Sequence, residues 1–191
     1  MLGCGYNGSN RGEWMPTLDA TIGGEDANSY VTLEDANAYA DQMMTAATWA
    51  ALDDDTKTRA LIAATAQLET LEIIGDRCTL DPPQRLQLPV ENAECKGVTA
   101  ACDMIPEVFK TAEVRMATEI ATNPGILNPG DVSGPIKRQK LDVLEREFFE
   151  PSGRRVGEAS PYALQSFPWL ADWLGCWYVG QVGSSAVLDR C

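Results

Sequence analysis

A mainly α-helical fold, a small helical bundle with a short β-hairpin-like element and an extended N-terminal arm, is what this sequence predicts. Three observations carry that expectation. Leu33, Ala36, Ala40 and Met43 recur at spacings of three and four, as do Leu61, Ala64, Leu68 and Leu71, and then Ile105, Phe109, Ala112, Met116 and Ile120. Each set puts one apolar stripe on one side of a helix, because a 3.6-residue turn brings those positions onto a common face.

The first helix starts in ANSYVTLEDANAYA, residues 27–40. Thr32 is an N-cap and Asp35 places a carboxylate in the first turn, where the helix dipole favours negative charge. Asp53, Asp54 and Asp55 open the second helix for the same reason and are read as a helix start rather than a metal site. The expected range is 54 to 73, about 30 Å long, with Gly75 as the stop. Prolines at 82, 83 and 89 exclude a helix interior, so DRCTLDPPQRLQLPVENAECKGVTAACDM reads as an ordered loop or a short edge-like crossing. Pro106 then sits at the favoured first position of a third helix, 106 to 122. A last helix is expected at 168 to 177, and the first runs 33 to 44. Residues 135 to 157 read as strand, turn, strand; KLDVLEREFF also fits a helix with Leu141, Leu144 and Phe148 on one face, so strand and helix both stand for 137–149.

The 191 residues, 45% of them hydrophobic, suit one core-bearing domain over 27–191, preceded by a Gly- and Asn-rich arm over 1–26. No apolar run approaches the roughly 20 residues of a spanning helix, and MLGCGYNGSNRGEW lacks a signal peptide's apolar block, so a soluble, cytoplasmically made chain is expected.

The chain has no histidine, which removes the commonest general base and zinc ligand and every His-dependent triad. No enzyme activity, cofactor or metal is expected. Six cysteines, at 4, 78, 95, 102, 176 and 191, form no CxxC pair and read as reduced thiols. The formal charge of −13 argues against a general grip on phosphate. Positive charge gathers only in 137–155, with Lys137, Arg138, Lys140, Arg146, Arg154 and Arg155 against four acidic residues. Near the C-terminus, Trp169, Trp173 and Trp177 fall at i, i+4 and i+8, three indoles on one expected helical face, with Asp172 as their charged neighbour in sequence.

Four stretches carry a resemblance. ANSYVTLEDANAYA, TWAALDDDTKTRALIAATAQLETL, PPQRLQLP and IPEVFKTAEVRMATE, with echoes in GPIKRQKLDVLEREF and FPWLADWL, resemble a tailed-bacteriophage family often labelled DnaT-like single-stranded-DNA-binding proteins, which is similar to the head-tail connector (adaptor, head completion) proteins. The similarity spans about residues 24 to 178. Leu88 departs from it, standing where an aromatic is usual.

The resemblance implies a virion structural protein at the head-tail junction, forming a homo-oligomeric ring, a dodecamer, between the portal protein and a tail nozzle, tube or stopper protein. Genomic DNA would pass its channel without specific binding. Trp14, Trp169, Trp173 and Trp177 are the partner-interface candidates, with the arm docking through Trp14; Lys137, Arg138 and Lys140 are the channel- or portal-facing candidates. The alternative is a single-stranded-DNA-binding replication protein. Base-stacking aromatics need a basic groove around them, and the sequence places no cation beside the three tryptophans, so the connector is the preferred expectation.

Overall fold

The computed structural model describes residues 17–127, 138–141, 144–147 and 162–179. The mainly α-helical fold class holds. Helix α1 spans Leu33–Ala40, α2 Ala46–Ala50, α3 Asp54–Leu68, α4 Glu107–Thr122, α5 Tyr162–Ser166 and α6 Trp169–Leu174, with 3-10 turns at Pro124–Leu127 and Gly175–Trp177. Three short antiparallel pairs accompany them among the described residues: β1 (Asp76–Arg77) with β2 (Val90–Glu91), β3 (Glu94–Cys95) with β4 (Val98–Thr99), and β5 (Arg138–Leu141) with β6 (Leu144–Glu147).

The caps form where local chemistry requires them. Thr32 Oγ1 accepts the Asp35 amide at 3.1 Å and Asp53 Oδ1 accepts the Thr56 amide at 2.7 Å, each satisfying an N–H that a helix start leaves without an intrahelical partner. The three apolar stripes supply the core: Ala36, Ala40, Leu61, Ala64, Leu68, Leu71, Ile105, Phe109, Ala112, Met116 and Ile120 are all buried. Helix α4 is the central rod, lying against α1, α3 and α6. At 16 residues it is about 24 Å long.

Several boundaries differ from the sequence reading. The expected 33–44 helix stops at Ala40, and α2 follows as a separate turn that buries Trp49. Helix α3 ends at Leu68, shorter than expected, and Leu71 and Ile73 continue the burial from irregular backbone. Gly75 is therefore not the helix stop. Its φ is +101°, and a Cβ there would stand 2.8 Å from the Glu91 carbonyl oxygen and 2.9 Å from the Ala93 Cβ, so the β1–β2 region admits only glycine. The last helix breaks at Gly175, φ +58°, where a 3-10 turn takes over. Of the segment for which strand and helix both stood, Arg138–Leu141 and Leu144–Glu147 are strands, paired antiparallel in register Arg138 to Glu147 and Lys140 to Glu145.

The expectation of reduced thiols is corrected by two disulfides, Cys78–Cys102 and Cys95–Cys176. Their partners are 24 and 81 residues apart in sequence, and only the tertiary fold brings the Cα atoms to 5.7 and 5.6 Å. The second bond ties the β3–β4 hairpin to the turn after α6. Residues 17–26, within the N-terminal segment read as an arm, carry bonds to their surroundings: Asn28 Oδ1 accepts the Asp19 amide at 2.9 Å and the Gly24 carbonyl accepts the Arg85 amide at 3.1 Å. Trp14 lies outside the described residues.

Candidate aromatic and cationic surface site

Helices α4 and α6 pack side by side and bring together what the sequence keeps 50 to 62 residues apart. Thr111, Arg115 and Glu119 recur every fourth residue along α4 and so share one of its faces. Trp169 and Trp173 hold the same relation on α6. Where the two faces meet, the Arg115 guanidinium carbon lies 3.8 Å from the Trp169 ring centre and 5.4 Å from that of Trp173. The two indoles meet edge to face, centroids 6.0 Å apart and planes at 83°.

Hydrogen bonds fix the assembly. Trp169 Nε1 donates to Glu119 Oε2 at 3.4 Å, and the Arg115 Nε is paired with Glu119 Oε1 at 3.4 Å, so one carboxylate orients both the cation and the inner indole. Trp173 Nε1 donates to Thr111 Oγ1 at 3.4 Å. Phe167 closes the inner side, edge to face with Trp169. Trp169 is half-buried, whereas Trp173 is 41% exposed and is the outward member of the stack.

The three tryptophans therefore do not form one face. Trp177 is 3% exposed and packs edge to face on Phe109, 6.0 Å between centroids, because Gly175 turns the chain inward before it. It is a core residue. Of the basic candidates, Lys137 lies outside the described residues, and for Arg138 and Lys140 the described feature is their place on β5. Arg115 is the residue sequence reasoning missed. Its signal was the 111/115/119 spacing along the edge of the α4 stripe, but nothing in the sequence says that α6 lies against that edge.

A second polar centre lies inside the core. Glu113, fully buried on α4, accepts from Ser29 Oγ at 2.6 Å, Thr65 Oγ1 at 2.9 Å and the Tyr30 amide at 3.0 Å. Burial pushes its carboxyl up to about 8, against the opposing pull of those donors. Next to it, the Tyr30 hydroxyl donates to Glu69, whose carboxylate also accepts the Gln87 amide at 2.9 Å; burial raises Glu69 too. These bonds fasten the ANSYV segment and the proline-rich loop to α3 and α4. Their role is to join segments, since every contact of Glu113 is made to a neighbouring core element.

The fold and this face define a class: a small α-helical protein presenting an exposed indole backed by a stacked arginine. The chain belongs to the family described as "Putative DnaT-like ssDNA binding protein", which matches residues 17–185. That match corrects the head-tail connector expected from the same stretches of sequence. With it fall the virion ring, the portal and tail-protein partners, and the passage of genomic DNA without specific binding. The physical premise behind the connector reading also fails, because the tryptophans do have a cation beside them. No curated protein and no solved structure matches the chain.

Proposed function

We propose that this chain is a single-stranded-DNA-binding protein that works by binding rather than catalysis, with Trp173 as a base-stacking platform and Arg115 as its cationic backing. The single observation that carries the reading is the Arg115 guanidinium lying over two indoles, one of them 41% exposed. Bases stack on such faces without sequence preference, because every base has a π-face, and a neighbouring arginine adds phosphate attraction. Family membership supports the same ligand. With the grip confined to one small face on a chain of net charge −13, the affinity is modest and its salt dependence is shallow, about 0.7 in log K per log salt for each phosphate contact.

The test is titration of the protein with a labelled oligothymidylate, following tryptophan fluorescence and anisotropy in 50 mM salt. Stacking is worth about 1–3 kcal/mol per base, so Trp173→Ala weakens binding roughly five- to 150-fold. Binding unchanged by that substitution, with no quenching in the parent protein, overturns the assignment.

A further inference from the structure

A second cation lies at the C-terminal end of α6, supplied from a different part of the chain. The β3–β4 hairpin turns through Lys96 and Gly97, with φ of +53° and +78°, and this tight turn projects from strands that are themselves only two residues long. Lys96 is exposed, and its Nζ lies 3.3 Å from the point where a Cβ would stand on Gly175, two residues beyond Trp173. Arg115 flanks the exposed indole toward Trp169, at the start of α6. Lys96 lies at the end of α6. The neighbouring residue Cys95 is bonded to Cys176, next to Gly175, so the hairpin is covalently held beside the helix end.

We propose that Lys96 is a phosphate-contacting residue of the same nucleic-acid face, placed by the Cys95–Cys176 bond so that a strand stacking one base on Trp173 meets a cation on either side. The inference rests on the reading of Trp173 and Arg115 as the binding site. Along α6, Arg115 lies toward Trp169 at the start of the helix and Lys96 lies beside Gly175 at its end, so the two cations bracket Trp173 along the helix. The carboxylates of the face leave that arrangement workable: Glu119 is engaged by Arg115 and Trp169, and Asp172 is exposed on α6. Gly175 contributes by lacking a side chain, since a Cβ there would crowd the lysine.

The experiment uses the full-length oxidised protein and a fluorescein-labelled oligothymidylate, with anisotropy titrations from 50 to 200 mM salt. Lys96→Asn removes the charge while suiting the positive φ. Loss of one phosphate contact on a single strand reduces the steepness of log K against log salt by about 0.7 and weakens binding about five- to tenfold at 50 mM salt. Lys96→Arg keeps both affinity and slope. In Cys95→Ser/Cys176→Ser, binding falls toward the Lys96→Asn level, and adding Lys96→Asn then has little further effect, because the two changes act on one placement. Circular dichroism checks the fold of that double variant; if it unfolds, the Lys96→Asn slope alone decides. Trp173→Ala and Arg115→Gln measure the parent site. If these two weaken binding while Lys96→Asn leaves affinity and slope unchanged, Lys96 is no part of the face and this inference fails alone. If none of the three substitutions changes binding, the site itself is misplaced and both readings fail.

Discussion

Protein stability should fall as pH rises from 5 to 8, and Glu113 is the reason. An exposed glutamate titrates near 4.5, whereas the buried one titrates near 8, so between those values the folded chain holds a proton that the unfolded chain has released. A raised folded value means the contribution is fully present below about pH 4.5 and is gone once pH passes about 8. At about 1.4 kcal/mol per pH unit, that window bounds the loss at about 5 kcal/mol, a large part of the 5–15 kcal/mol that ordinarily holds a domain together. The geometry supports a neutral carboxyl at the low end. Ser29 Oγ also lies 2.7 Å from the Val31 carbonyl and Thr65 Oγ1 lies 3.1 Å from the Leu61 carbonyl, so each hydroxyl has two acceptors for its one proton. The single proton of a neutral Glu113 supplies a donor to one of them. The assay is urea unfolding at pH 5, 6, 7 and 8 without reductant, comparing the parent with Glu113→Gln. The parent should lose about 3–4 kcal/mol across the three pH units of the series. The glutamine variant should lose less, retaining only what Glu69 and the remaining carboxylates contribute, and should be the more stable of the two at pH 8. Parallel curves for the two proteins would refute the assignment.

Other substitutions probe the rest of the frame. Gly75→Ala should destabilise by more than about 2 kcal/mol, because the positive φ and the close approach to Glu91 and Ala93 leave no relaxed position for a methyl group; an unchanged melting temperature contradicts this. Leu61→Ala, at a fully buried site between α3 and α4, should cost about 2–5 kcal/mol, read from the urea midpoint. Thr32→Ala should cost about 0.5–2 kcal/mol by removing the α1 cap, with little change in helical circular dichroism at low temperature. Cys78→Ser/Cys102→Ser should cost about 3.5 kcal/mol, the loop-closure value for 24 residues, measured against the oxidised parent.

What the sequence determined by itself is whatever depends on neighbours along the chain. The stripes through Leu61 to Leu71 and Ile105 to Ile120, the caps at Thr32 and Asp53, and the exclusion of helix from the proline loop are all short-range, because a helix sets its faces and its unsatisfied amides within one or two turns. The placement of those faces against one another was not legible. Trp169, Trp173 and Trp177 read as one surface on an ideal helix, yet a left-handed Gly175 sends Trp177 into the core and leaves Trp173 outside. Arg115 gave no sign of a partner 54 residues away, and nothing along the chain singles out Glu113 as the residue around which Ser29, Tyr30 and Thr65 close. The disulfides show the same limit, since cysteine spacing carries no information about which loops the core folds together. Backbone propensity and periodicity act over a few residues; the site, its cation and its covalent ties are made by contacts between segments, and only the packed tertiary structure sets those distances.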